Sequence, residues 1–144
     1  MKRFLILAAL LLVPGLLNAG VTQTFEQVSG HVYCITLTVT FSASGGGLES
    51  TPTDWDINGL LLAVETDPGA TAPTDDYDLY LYNDRGRDVM GGALLNRDTS
   101  NTEITEPYID SQYVSVPVQG KLWLQVANQA VNSAIVVIKI FFMR

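Results

Sequence analysis

Cysteine, histidine and basic side chains are all scarce in this sequence, and each scarcity excludes a class of function. The single cysteine, Cys34, excludes an intrachain disulfide and a thiolate metal cluster within one chain. The single histidine, His31, accompanies no G-x-S-x-G motif and no ordered set of Ser, Asp and His, so a nucleophilic triad is not expected. Catalysis normally needs a side chain that titrates near neutral pH, and His31 and Cys34 are the two that come nearest to it here. With so few candidates, the sequence favours a protein that is not an enzyme. A small hydrolase that uses paired carboxylates is the weaker alternative.

Positive charge is scarce as well, since 8 Lys and Arg residues stand against 15 Asp and Glu residues, for a net charge of -7. Such a surface repels the nucleic-acid backbone, and the chain lacks the clusters of Lys and Arg that contact phosphates. Nucleic-acid binding is therefore not expected. Apolar residues, in contrast, are plentiful: 47% of the chain is hydrophobic and 9% is aromatic, which suits one folded domain at 144 residues.

The first residues have the pattern of an export signal. Met1-Lys2-Arg3 is basic, residues 4–17 are mostly apolar, and Ala19 supplies the small residue that a signal peptidase needs. As a helix the apolar run would span about 21 Å, less than the hydrocarbon core of about 30 Å, so a stable membrane span is not expected. We predict a signal peptide over residues 1–19 and one exported domain, periplasmic or extracellular, over residues 20–144. An uncleaved anchor is the alternative.

Period-two alternation of apolar residues predicts an all-β domain. It is clearest over residues 32–42, where one face carries Tyr33, Ile35, Leu37, Val39 and Phe41. Further strands are predicted over 57–66, 77–83, 113–118, 121–127 and 134–143, with a weak first strand near 22–28 and a short returning strand at 89–90. Residues 96–106 are predicted to be a loop, with a short helix or strand within it as the alternative. Turns of Gly, Pro, Asn and Asp separate them. This spacing predicts an antiparallel β-sandwich of about seven strands, with jelly-roll or immunoglobulin-like topology.

The last predicted strand is apolar on both faces. Val136, Ile138, Ile140 and Phe142 point one way, and three other apolar side chains point the other way: Ile135, Val137 and Phe141. The favoured interpretation is a central strand that is covered by the second sheet on one side and by loops on the other. The alternative is that these three residues form an interface with another subunit, which predicts a homo-oligomer.

Five acidic residues lie around the strand at 77–83 and its turn: Asp75, Asp76, Asp78, Asp84 and Asp88. We favour acidic turn residues that accept hydrogen bonds from local backbone. The alternative is a calcium site, because hard cations bind to loops rich in oxygen ligands, although the spacing is not that of an EF-hand. Calcium is the one cofactor that the sequence suggests.

Aromatic residues suggest a second kind of site on the same strand. Tyr80 and Tyr82 flank the inward-pointing Leu81 and are predicted to lie on the outer face. With Trp55 and Trp123 they could stack against a sugar, although tryptophan more often anchors a core. On the strand at 32–42, Cys34 falls on a threonine-rich face, where it is either an exposed thiol that joins two chains or a quiet thiol. His31 is expected to be a solvated loop residue.

A series of short motifs runs in order along residues 33–142. The motifs are Pro-Gly at 68–69, Ala-Pro-Thr-Asp at 72–75, Tyr-Asp at 77–78, Gly-Gly-Ala at 91–93, Asn-Arg-Asp at 96–98, and Asn-Ser-Ala at 132–134 before the last apolar strand. The series resembles short β-rich proteins that are encoded among the structural genes of tailed bacteriophages. The resemblance implies a non-enzymatic virion or virion-associated protein, whose partners are further copies of itself or proteins of a virion or cell surface.

A second resemblance covers one hairpin. The strand Tyr-Asp-Leu-Tyr-Leu-Tyr-Asn at 77–83, followed by Gly86, is similar to the Asp-Leu-Tyr-Leu strand of pre-peptidase C-terminal domains, which are appended to secreted bacterial enzymes. This resemblance implies an exported binding module for a glycan or for calcium. The two hypotheses differ in location and in ligand.

Overall fold

The computed structural model of the protein describes residues 20–41 and 47–144. The predicted signal peptide over residues 1–19 lies outside them. Eleven strands form in the described residues: β1 (Gly20–Ser29), β2 (Val32–Thr40), β3 (Leu48–Pro52), β4 (Gly59–Pro68), β5 (Asp78–Tyr82), β6 (Glu103–Thr105), β7 (Tyr108–Ile109), β8 (Gln112–Tyr113), β9 (Val116–Val118), β10 (Trp123–Ala127) and β11 (Ile135–Met143). In the described part of the chain, no helix has the length and apolar character that crossing a membrane requires.

The strands form two main antiparallel sheets around one core. The large sheet has six strands in the order β1-β2-β11-β4-β6, with β9 also paired to β4. The small sheet has the order β3-β10-β5, and β7 and β8 form a separate hairpin. Buried apolar residues of both sheets belong to a single cluster. The predicted antiparallel β-sandwich is therefore confirmed.

The inner faces follow the predicted alternation. On β2, Ile35, Leu37 and Val39 are fully buried, and on β11 the same holds for the alternate residues from Val136 to Phe142. The small sheet contributes five buried apolar residues to the same core: Leu48, Leu79, Leu81, Leu124 and Val126. Burial of these side chains is the main stabilising contribution to the fold, at about 1.5–3 kcal/mol for each large apolar side chain.

Three details of the predicted strand list are wrong. The described residues form eleven strands rather than about seven, because β6 to β9 are separate pieces of two or three residues. Strand β3 was not predicted, since its sequence LESTP has almost no apolar alternation. The returning strand at 89–90 does not form. Instead, the Asp88 carboxylate accepts hydrogen bonds from the backbone N–H groups of Met90 (3.1 Å) and Gly92 (2.8 Å), which closes a series of turns.

Strand β11 lies in the middle of the large sheet, between β2 and β4. Its inner residues are buried, whereas Ile135, Val137 and Phe141 lie on the outer face and are only half-buried. The strand is central as predicted, but its outer face is not fully covered in the described structure. Three neighbouring side chains lie directly opposite these residues on β2: Thr40, Thr38 and Cys34. The subunit interface stays a prediction.

The expectation that Cys34 could be exposed is wrong. Its side chain lies on the outer face of the large sheet, as alternation predicted, yet the residue is only 1% exposed. Phe141 of β11 and Glu26 of β1 stand directly opposite it on either side. Burial raises the pKa of the Cys34 thiol, and its Sγ atom lies 3.7 Å from Oγ1 of Thr36. A buried, protonated thiol is not placed to join two chains.

Candidate functional site

The outer face of the small sheet is aromatic. Because successive residues of a strand point to opposite faces, the buried positions of Leu79 and Leu81 turn Tyr80 and Tyr82 of β5 outward. On the neighbouring strand β10, Trp123 stands directly opposite Tyr82, so it shares that face. We call Tyr80, Tyr82 and Trp123 the aromatic surface. The outward orientation predicted for Tyr80 and Tyr82 is confirmed.

The rings of the aromatic surface are arranged regularly. The ring centroids of Tyr80 and Tyr82 are 5.7 Å apart, and the ring planes are within 5° of parallel. Trp123 is 37% exposed, a large apolar area for a side chain that could otherwise contribute to the core. The pKa of Tyr82 is raised, first by burial of its phenol and second by the neighbouring Asp88 carboxylate. Its phenol therefore stays protonated at neutral pH and can donate a hydrogen bond.

Polar groups surround this surface. A depression of about 360 Å³ lies at its end and is lined by Ser50, Tyr82, Asn83, Asp84, Gly86 and Trp123. On the other side, Gln125 stands directly opposite Tyr80 and presents an amide to the same face. Apolar rings beside short polar side chains are the usual composition of a small-molecule binding site.

The turn at the rim of the depression is held by its own hydrogen bonds. The side-chain oxygen of Asn83 accepts hydrogen bonds from the backbone N–H groups of Arg85 and Arg87, both at 3.0 Å. Gly86 has a φ of +72°, a conformation that favours glycine, and its N–H donates to the Asn83 carbonyl at 3.0 Å. The carboxylate of Asp84 is exposed at the tip of this turn, so it is free to accept hydrogen bonds from a ligand.

The five predicted acidic residues have separate roles. The Asp78 carboxylate accepts hydrogen bonds from the backbone N–H of Asn96 (3.0 Å) and from the side-chain amide of Asn128. The Asp88 carboxylate holds the turns that follow it. These two match the favoured interpretation of acidic residues that accept local hydrogen bonds. Asp75 and Asp76 are exposed in the loop before β5, whereas Asp84 lies in the turn after it.

Calcium binding has no geometric counterpart in residues 20–41 and 47–144. No group of three or more His, Cys, Asp or Glu side chains in those residues is placed to hold a metal ion. The calcium hypothesis stays a prediction that rests on the sequence alone.

The two tryptophans have different surroundings in the structure. Trp55 packs against Phe25, with ring centroids 5.7 Å apart, and is not one of the residues that line the depression beside Trp123. Both tryptophans are partly exposed, at 36% and 37%, so the favoured expectation that they anchor the core is wrong. The predicted platform of four aromatic residues is therefore a surface of three. His31 is exposed in the turn between β1 and β2, as predicted.

Sequence reasoning missed part of the polar rim. Gln125 could have been placed, since alternation over 121–127 puts it on the face of Trp123. Ser50 could not, because its strand, β3, has no clear pattern and is recognisable only through its pairing with β10.

No protein-family model matches this chain, and searches of curated proteins and of solved structures found no significant match. The resemblances to phage structural proteins and to pre-peptidase C-terminal domains therefore stay predictions. The function has to be argued from the site itself.

Proposed function

We propose that this protein is a non-catalytic carbohydrate-binding module that holds a glycan on the aromatic surface. The observation that carries the proposal is the pair of parallel rings, Tyr80 and Tyr82, beside the partly exposed Trp123 on the outer face of a short sheet. Sugar rings have an apolar face of C–H groups, which stacks on aromatic rings, and hydroxyl groups at the edge, which need polar partners. The rim residues Ser50, Asn83, Asp84 and Gln125 supply such partners.

The charge of the protein narrows the ligand class. With a net charge of -7, the protein as a whole repels sulfated or uronic acid polysaccharides at long range. A neutral glycan carries no such penalty. The proposed ligand is therefore a neutral oligosaccharide or polysaccharide.

A matched pair of tryptophan variants tests the proposal. Binding of the full chain to a panel of neutral and acidic polysaccharides is measured by affinity electrophoresis, and then by calorimetry with oligosaccharides of the best ligand. Trp123→Ala is expected to weaken binding about five- to thirtyfold, because removal of one stacking ring costs on the order of 1–2 kcal/mol. Trp55→Ala removes a tryptophan of almost equal exposure outside the aromatic surface, so it is expected to bind as the wild type does.

Two results would contradict the proposal. One is that no neutral glycan retards the wild-type protein. The other is that Trp123→Ala and Trp55→Ala weaken binding equally, because the effect would then come from the fold and not from the surface.

A second candidate function is a structural component of a virion or cell-surface assembly. It is favoured by the outer face of β11, where Ile135, Val137 and Phe141 remain only half-buried on a central strand. Cell fractionation and intact mass separate the two candidates. A mature chain that begins at Gly20 outside the cytoplasm supports the exported module, whereas an uncleaved cytoplasmic product that co-purifies with particles supports the virion component.

A further inference from the structure

The edges of the two sheets are protected to very different extents. In the described structure, one edge of the small sheet is β5, which the following loop covers: Val89 N–H donates to the Leu81 carbonyl at 2.8 Å, and Leu79 N–H donates to the Leu94 carbonyl at 3.0 Å. The other edge, β3, has five residues and ends at Pro52. On the far side of the large sheet, the edge is divided between the three-residue strands β6 and β9. Each of these edges is short, covered or interrupted, as is usual for soluble β proteins.

Strand β1 is the exception among the described strands. It runs for ten residues, Gly20–Ser29, and β2 is its one paired neighbour. The strand contains no proline, lysine or arginine, and Glu26 is its only charged residue. These are the residue types that normally prevent an edge from pairing with another strand. Among the described residues no second strand pairs with β1, so its outer side presents a long row of backbone N–H and C=O groups to an incoming strand.

We propose that this edge binds β1 of a second copy of the chain, antiparallel and about a two-fold axis. The occupant is argued from self-complementarity. The inner faces of the two large sheets match only if inward-pointing residues of one β1 pair with inward-pointing residues of the other. This requires the two-fold axis to pass through a residue, such as Thr24 or Phe25, and not between two residues. In the first arrangement Glu26 faces Thr22 of the second copy, and in the second arrangement it faces Thr24. In both, the one charge of the strand meets a hydroxyl group and avoids its own copy.

Pairing of this kind joins two six-stranded sheets into one continuous sheet of twelve strands. The inner faces stay aligned as well. Phe25, which packs against the core of one copy, stands opposite Gln23 of the second copy for an axis at Thr24 and opposite its own equivalent for an axis at Phe25. The seam is held by main-chain hydrogen bonds, as in other complexes that form by strand addition.

The oligomeric state of the full chain tests the proposal. The wild type is expected to have the mass of two chains by sedimentation equilibrium at about 100 µM. The double variant Thr24→Lys/Glu26→Lys places like charges opposite each other for a two-fold axis at Thr24, Phe25 or Glu26. It is expected to be monomeric, because self-association is weakened at least about a hundredfold. The control, Glu106→Lys/Gln119→Lys, makes the same change in net charge on exposed loops away from β1 and is expected to remain dimeric.

Hydrogen exchange of the wild type gives an independent readout if the double variant does not fold. Amides of residues 20–29 are expected to exchange more slowly as the protein concentration rises from 1 to 100 µM, whereas amides of β3 are expected to be unaffected. A wild-type monomer at 100 µM, or a dimer whose β1 amides show no dependence on concentration, would overturn the proposal. Glycan binding to the opposite sheet is measured separately, so failure of one proposal leaves the other intact.

Discussion

The two sheets share a core but have outer faces of different kinds. On the outer face of the large sheet, β2 carries threonines and the Lys139 Nζ atom bonds to Oε1 of Glu65 at 2.7 Å. On the outer face of the small sheet, three aromatic rings stand beside short polar side chains. Core burial explains the inner residues of both sheets, but it does not explain why three aromatic rings lie together on the outer face of the small sheet. The composition of an outer face is therefore the better indicator of function in this fold.

The largest difference in stability is expected between substitutions on the two faces of one strand. Ile138 of β11 is fully buried, whereas its neighbour Val137 points outward and is half-buried. Ile138→Ala is expected to lower the free energy of unfolding by about 2–5 kcal/mol, because it leaves a cavity in the core. Val137→Ala is expected to lower it by less than about 1 kcal/mol. Urea denaturation of both variants measures the difference, and equal losses would show that the outer face is buried in the protein as it exists in solution.

A smaller difference, in the pH dependence of stability, is expected between a tyrosine inside the sandwich and an exposed one. Burial raises the pKa of Tyr77 to about 12 from its usual value of 10. Folding therefore favours the protonated phenol, so the contribution of Tyr77 to stability is complete below pH 10 and is lost as the pH rises from 10 towards 12. The loss amounts to about 2–3 kcal/mol at most.

Removal of the Tyr77 hydroxyl checks this assignment. The free energy of unfolding of Tyr77→Phe is expected to lie within about 1 kcal/mol of the wild-type value at pH 7, because among the described residues the buried hydroxyl has no hydrogen-bond partner. Between pH 8.5 and 11.5 the stability of this variant is expected to fall less than that of the wild type. Tyr113→Phe, at a side chain that is 65% exposed, is the control and is expected to follow the wild type at every pH. Parallel curves for Tyr77→Phe and wild type would refute a raised pKa.

The smallest expected effect concerns the ion pair on the outer face of the large sheet. The hydrogen bond that Lys139 donates to the Glu65 carboxylate raises the pKa of Lys139, but both side chains are partly exposed to water. Glu65→Gln is therefore expected to cost less than about 1 kcal/mol of stability, and the cost should shrink in 0.5 M NaCl. Glu106→Gln, in an exposed loop, is the control. A cost of several kcal/mol that persists in salt would mean that this face is covered by another chain.

The sequence predicted those parts of the molecule that repeat a local rule. Alternation identified the buried face of β2 and the outward tyrosines of β5, since a strand's two faces follow directly from its period of two. It could not show that Cys34 is buried, because that depends on Phe141, which stands opposite it from more than a hundred residues away in the chain. Likewise, alternation over 121–127 puts Trp123 on the face away from Leu122 and Leu124, but it could not show which strand lies beside it. Only the pairing of β10 with β5 puts Trp123 beside the tyrosines.

The position of β11 has a consequence for how the chain is made. This strand is the last of the described strands in sequence order, yet it separates β2 from β4 in the large sheet. While a ribosome is still synthesising residues before 135, β2 and β4 have no strand between them and the sheet cannot close. The large sheet therefore cannot be completed until β11 has left the ribosome, and its apolar strands stay exposed up to that point. A fragment that ends before residue 135 consequently lacks the strand that joins β2 to β4 and is not a smaller version of the domain.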